Sequence, residues 1–138
     1  LYYINLIMKN NFFELLGYLY YLSLLSLIIL YLFPGSLIGY LLYGDLGKQP
    51  HIIDNPIGTS INHLFFFIYL SSLGLIVRSK YKKFINSFQF LFFISILLEI
   101  LHCIIPNRSF EYYDLFANIA GVISAYIFIN YFVKKRIG

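Results

Sequence analysis

The chain has 138 residues, of which 60% are hydrophobic and only 12% are charged. A soluble domain of this length cannot bury so much apolar surface, so the composition excludes a water-soluble fold and indicates a membrane protein. The formal charge of +4 does not indicate nucleic-acid binding, because the basic residues form short clusters beside apolar segments. Cys103 is the one cysteine, which excludes an internal disulfide, and we expect it to pack within its apolar run.

The apolar segments predict an all-α, polytopic membrane protein with a single domain, residues 1–138, that forms a bundle of four transmembrane helices. About 20 helical residues cross a hydrocarbon core of about 30 Å. The predicted helices cover approximately residues 12–33, 61–77, 84–105 and 115–133. A cleaved signal peptide is the competing interpretation of the first segment, but the apolar run is too long and no small-residue cleavage site follows it.

An extracytoplasmic loop is predicted over residues 34–60. Pro34 and Gly35 end the first helix, because proline cannot continue the hydrogen-bond ladder. The apolar run from Leu37 to Tyr43 is too short to span, which favours an interfacial or re-entrant piece. The rest of the loop is polar and is predicted to be exposed.

The basic residues predict the orientation of the bundle. Eight of the ten Lys and Arg residues fall on one side of the membrane under this topology, namely Lys9, Arg78, Lys80, Lys82, Lys83, Lys134, Lys135 and Arg136. Short basic loops remain in the cytoplasm, so we expect both termini to be cytoplasmic.

Polar side chains from three predicted helices and one loop fall at a similar depth near the outer surface. They are His63, Glu99, His102, Arg108, Asp114 and Asn118. Glu99 is the most informative, because a carboxylate inside hydrocarbon costs about 2.5 to 3.5 kcal/mol on insertion scales. We therefore expect it to face the bundle and to have His102, Arg108 or Asn118 as a partner.

Two interpretations of this cluster are open. A buried polar clamp between the third and fourth helices is the simpler one, and a ligand, proton or metal site is the one we favour, because clamps are usually built from neutral residues. Asp114 equally fits a helix cap. Arg108 equally fits a loop cation that balances Glu111 or Asp114, or a guanidinium that contacts lipid phosphates.

The same polar residues include four that are able to bind a metal ion. His63 and His102 with Glu99 and Asp114 could in principle form a two-His, two-carboxylate site. The Glu-x-x-His spacing occurs in metal-binding bundles, but those use more carboxylates on facing helices, so we expect no metal and no cofactor. Ser95 has no histidine placed to act as its base, and no catalytic residue is assigned.

Small residues mark one face of the fourth helix. Ala117, Gly121 and Ala125 recur every four residues, a spacing that allows close approach of a neighbouring helix. This pattern predicts helix packing rather than chemistry.

The polar residues follow one another in an order that resembles the core signature of the VanZ-like family. The matching run is Glu99-x-x-His102, Pro106-x-Arg108 and Asp114-x-x-x-Asn118-x-x-Gly121, with His63 near the start of the second helix. The chain departs from the family in having His102 where glutamine is usual, Ala125 where a second glycine is usual, and Thr59-Ser60 where an Asp-Lys pair is common.

The resemblance implies a small multi-pass protein of the bacterial cytoplasmic membrane, from a family whose named member is associated with resistance to teicoplanin. We therefore expect a non-enzymatic protein whose outward-facing pocket, formed by the six polar residues, binds a lipid headgroup, a lipid-linked cell-wall precursor or the lipid-tailed glycopeptide. Its other partner is the bilayer, with no nucleic acid. The alternatives are an enzyme acting on a lipid headgroup, with Glu99 or His102 as general base, and a small ion-coupled carrier.

Overall fold

The structure is a computed structural model that describes residues 2–50 and 58–137, with side chains for residues 10–50 and 60–132. Throughout these residues the regular structure is helical and there is no strand, so the all-α prediction is confirmed for them. In chain order the helices are α1 (Tyr2–Leu32), α2 (Leu37–Tyr43), α3 (Gly58–Arg78), α4 (Phe88–Leu101) and α5 (Tyr112–Ile137), with a 3-10 turn at Phe84–Asn86.

Among the described residues, three helical segments are long and apolar enough to cross a membrane: Asn10–Leu32, Ser60–Arg78 and Tyr112–Phe132. Large apolar side chains remain exposed along them, among them Leu22, Leu25, Ile29, Ile127 and Phe128. A row of such side chains is unfavourable in water and suits contact with lipid tails. The described helices are therefore those of a multi-pass membrane protein.

The third predicted helix, residues 84–105, is shorter than expected. α4 has 14 residues, which is about 21 Å of helix and less than a full crossing. Ser87 caps its start by accepting a hydrogen bond from the Phe90 amide. Asn86 donates from its side chain to the Tyr81 carbonyl, which fixes the preceding residues in a separate turn. The apolar run was visible in the sequence, but these two capping contacts were not.

The bundle core lies between α1, α3, α4 and α5. The largest fully buried apolar side chains are Tyr20, Leu27, Phe67, Leu70, Val77, Leu91, Leu98 and Val122. α3 and α5 share the most extensive helix contact. At Gly121 an added Cβ would stand 2.7 Å from the Leu64 carbonyl oxygen and 2.8 Å from the Phe67 Cβ, so the two backbones touch there. Ala125 is buried on the same face, and Ala117 is half-buried.

The bundle has two chemically different ends. At the end that we call the basic end, α1 begins and α3 finishes, and Lys80 donates to the Asn10 side chain at 2.7 Å. At the opposite end, the site end, α1 and α4 finish and α3 and α5 begin. Cys103 follows α4 at the site end and is exposed, so the expectation that it packs in an apolar run is wrong.

The short apolar run of the first loop forms α2, which lies at the site end. Ser36 caps its start by accepting from the Gly39 amide at 2.9 Å, and Gly44 ends it with a left-handed φ of 69°. Ser36 also donates its backbone N–H to the Leu46 carbonyl at 2.7 Å, which folds the following residues back over α2. The polar part of the predicted loop at residues 51–57 lies outside the described residues.

Candidate functional site

Tyr31, on the last turn of α1, is the centre of the polar cluster at the site end. Its side chain is buried, and its hydroxyl donates to Asn118 Oδ1 at 2.9 Å and lies 2.8 Å from His63 Nδ1. Its ring stacks on the ring of His102, with centroids 5.3 Å apart and planes 18° from parallel. Tyr31 therefore joins α1 to α3, α5 and the end of α4.

The hydrogen-bond network fixes the tautomer of His63. Asn118 donates its amide to the Ser95 carbonyl at 3.3 Å, which turns its Oδ1 toward Tyr31. Since the Tyr31 hydroxyl donates to that oxygen, it accepts from His63 Nδ1–H. In the neutral imidazole this assignment leaves His63 Nε2 without a proton, and that nitrogen lies 3.7 Å from Asp114 Oδ2, within ion-pair distance but too far for a hydrogen bond.

Glu99 is completely buried near the end of α4. Its Oε1 accepts from the backbone N–H of Glu111 at 3.1 Å and lies 3.3 Å from Nδ1 of His102. Its Oε2 has no hydrogen-bond partner within the described part of the chain. Of the partners that the sequence offered for Glu99, His102 is the one in contact. A buried carboxylate oxygen without a partner is costly and asks for an explanation.

Asp114 lies in the first turn of α5 and is almost fully buried. Its Oδ1 accepts a hydrogen bond from the hydroxyl of Ser60 in α3 at 2.5 Å, and its Oδ2 faces His63. The carboxylate therefore connects α5 to α3. A role confined to capping its own helix does not account for these contacts.

Arg108, in the loop between α4 and α5, binds the end of α1. Its Nη2 donates to the Leu30 carbonyl at 2.8 Å and its Nε donates to the Phe33 carbonyl at 3.3 Å. Carbonyls in the last turn of a helix lack a partner within the helix, so this contact satisfies two of them. Partial burial lowers the pKa of the Arg108 guanidinium, which nevertheless stays protonated at neutral pH.

A cleft of about 130 Å³ opens beside this network between α1, α2 and α3. We call it the amphiphilic cleft. Its apolar wall includes Leu27, Leu30, Leu37, Ile38 and Phe66. Its polar lining includes Tyr31, Ser36, Gln49, Asn62, His63 and Arg108. The cleft therefore presents a positive charge at one side of a mainly apolar surface.

The six residues predicted from the sequence lie around Tyr31 in two layers. His63 and Arg108 line the cleft, whereas the buried side chains of Glu99, His102, Asp114 and Asn118 lie behind it. Where the two layers meet, one ligand-type atom from each of His63, Glu99 and Asp114 lies within 4.8 Å of the other two.

Sequence reasoning missed Tyr31 and Ser60, which both belong to the hydrogen-bond network of the site. Tyrosine carries little information in a chain that has 14 of them, and a serine at a helix start is ordinary. The signal that could have found Tyr31 is its place one turn before the helix-ending Pro34, at the same depth as the other polar side chains.

Comparison with known proteins found no matching family model, no matching curated protein and no matching solved structure.

Proposed function

We propose that this chain is a VanZ-like integral membrane protein that binds the phosphate-bearing headgroup of a lipid or lipid-linked cell-wall precursor at the site end. The observation that carries the proposal is the amphiphilic cleft, in which the Arg108 cation adjoins an apolar wall. A phospholipid matches both surfaces, because its phosphate binds a cation and its acyl chains pack against apolar side chains.

Arg108 is the phosphate contact in this proposal. Its planar fork suits phosphate oxygens, and its two bonds to α1 carbonyls hold it in place without neutralising its charge. His63 and Asn62 supply further polar contacts in the cleft. Leu27, Leu30 and Phe66 face the part of the ligand closest to the acyl chains.

The buried layer behind the cleft then has a supporting role. Glu99 and His102 are bonded to each other and are almost without exposed surface. A general base must reach the proton that it removes, so this burial favours a binding protein over an enzyme that uses either side chain. We therefore assign the direct contact to Arg108 and His63 rather than to Glu99.

We further infer that the site end faces outward and that both termini are cytoplasmic, which the basic residues at the opposite end support. Cys103 and Ser79 are exposed at the two ends and allow a direct test. A membrane-impermeant maleimide is expected to label Cys103 in intact cells. In a Cys103→Ser background, Ser79→Cys is expected to be labelled only after permeabilisation. The reverse pattern would show that the orientation is inverted.

Headgroup binding is tested with purified protein and native mass spectrometry. Titration with phosphatidylglycerol is expected to give a saturable bound species that phosphatidylcholine competes for poorly, and Arg108→Gln is expected to weaken it at least tenfold. Arg78→Gln removes the same charge at the basic end and serves as the matched control. Equal lipid binding by the two variants would refute the role of Arg108.

The proposed link to glycopeptides is tested in cells. A sensitive bacterium that expresses this chain is expected to show reduced susceptibility to teicoplanin, and the effect is expected to disappear with Arg108→Gln and with Glu99→Gln. If susceptibility is unchanged while all three proteins reach equal levels in the membrane, this chain does not reduce susceptibility to teicoplanin.

A further inference from the structure

We infer that His63, Glu99 and Asp114 form a binding site for one divalent first-row transition-metal ion. One ligand-type atom from each side chain lies within 4.8 Å of the other two. Ligands bound to one such ion at about 2.0 to 2.2 Å lie about 3 to 3.5 Å from one another. The three ligand atoms therefore need to approach one another by about 1 to 2 Å to coordinate one ion, which small side-chain rotations can achieve.

An unpartnered carboxylate oxygen of Glu99 is available as a metal ligand. Glu99 Oε2 has no hydrogen-bond partner among the described residues, although the side chain has no exposed surface. Its sister oxygen Oε1 is occupied by the Glu111 amide and adjoins His102. A buried carboxylate in this state has one oxygen held in place and one oxygen available to a ligand.

In His63 and in Asp114, as in Glu99, one polar atom of the side chain is hydrogen-bonded and the other has no hydrogen bond within the described residues. His63 Nδ1 donates to Tyr31 and Asp114 Oδ1 accepts from Ser60, which leaves His63 Nε2 and Asp114 Oδ2 facing each other at 3.7 Å. A lone pair on the His63 imidazole and a carboxylate oxygen repel each other unless a proton or a metal ion lies between them, and at 3.7 Å the two atoms are too far apart for a direct hydrogen bond. Hydrogen bonds to the far atom of each ligand are the usual support of metal sites.

The donor set selects the class of ion. One imidazole nitrogen with two carboxylates suits Zn²⁺ or Mn²⁺, whereas Ca²⁺ and Mg²⁺ take oxygen ligands and Cu⁺ takes sulfur. Three protein ligands leave at least one position for water or an incoming ligand. The two carboxylates carry two negative charges, which a divalent ion would neutralise.

The inference does not rest on the proposed lipid binding, because none of its three ligands requires a lipid. The metal site and the cleft share His63, whereas Arg108 belongs to the cleft alone. Arg108→Gln is therefore expected to retain metal while losing lipid, so that failure of one proposal is separable from failure of the other.

The test is metal stoichiometry on purified protein without an affinity tag, after chelation and removal of the chelator. Equilibrium dialysis against Zn²⁺, followed by elemental analysis, is expected to give about one ion per chain. Glu99→Gln, Asp114→Asn and His63→Gln are each expected to lower the affinity at least tenfold. Glu111→Gln removes an exposed carboxylate from the adjoining loop and is expected to bind like the parent protein.

Co²⁺ provides a second readout that does not depend on the carboxylate variants folding. The parent protein loaded with Co²⁺ is expected to show visible absorption that His63→Gln abolishes and Glu111→Gln retains. No stoichiometric binding of Zn²⁺ or Mn²⁺ by the parent protein would overturn the inference. Equal binding by the parent and the His63→Gln protein would overturn it as well, because the ion would then lie elsewhere.

Discussion

Replacement of Gly121 by alanine tests whether the close contact between α3 and α5 is as tight as the structure indicates. The added Cβ would stand 2.7 Å from the Leu64 carbonyl oxygen, whereas ordinary contact begins near 3.4 Å. The two atoms nearest to the added Cβ are this backbone oxygen and the Phe67 Cβ, which is bonded directly to the backbone. The helices must therefore separate by about 0.7 Å, since no flexible side chain can give way.

The expected cost is that of overpacking, about 1 to 3 kcal/mol in free energy of unfolding. Replacement of a helical glycine by alanine also gains about 0.5 to 1 kcal/mol from backbone entropy. Gly17→Ala isolates this gain, because nothing lies within 4 Å of its added Cβ. The difference between the two variants then reports the steric cost alone.

The assay is equilibrium unfolding in mixed detergent micelles, monitored by circular dichroism. The free energy of unfolding of Gly121→Ala is expected to be about 1 to 3 kcal/mol lower than that of Gly17→Ala, and that of Gly121→Leu is expected to be lower still. If the free energies of unfolding of the two alanine variants agree to within about 0.5 kcal/mol, the close contact between α3 and α5 is refuted. Asn118 lies one turn from Gly121 on α5, so the same separation is expected to lengthen its bond to Tyr31.

Two further predictions concern single side chains and single backbone angles. Tyr31→Phe leaves His63 and Asn118 without their shared hydroxyl and is expected to cost about 1 to 3 kcal/mol in unfolding free energy. Tyr69→Phe removes an exposed hydroxyl and is its control, so equal losses would contradict the central place of Tyr31. Gly44→Ala is expected to destabilise α2 by about 1 kcal/mol, because its φ of 69° disfavours a side chain although the space is open. Faster amide exchange in α2 for Gly44→Ala than for Gly44→Asn checks this, and equal rates would refute the strain argument.

The helices that the sequence predicts best are those with long apolar runs. Hydrophobicity over about 20 residues is a strong signal, so α3, predicted at residues 61–77, spans Gly58–Arg78. α4 was predicted less well, because an apolar run does not show where hydrogen-bond capping divides it. The side chains of Asn86 and Ser87, which make that division, look like ordinary polar residues in the sequence.

The candidate site was predictable where it consists of ionisable residues within apolar helices, because placing such residues in a membrane is energetically unfavourable. Glu99 and Asp114 are conspicuous because ionisable groups are rare in such helices. The contact that Arg108 makes was not predictable, since its partners are backbone carbonyls and these carry no residue-specific signal. The same applies to Tyr31, whose importance derives from three neighbours that are distant in sequence.

The hydrogen bonds that hold the end of α1 connect residues made at very different times during translation. Tyr31 bonds to Asn118 across 87 positions, and Arg108 bonds to the Leu30 carbonyl across 78. A ribosome completes α1 long before either partner is synthesised, so these two bonds form only after most of the chain has been made. The polar network at the site end is therefore complete only once α5 is in place, because α5 supplies both Asn118, which bonds Tyr31, and Asp114, which bonds Ser60.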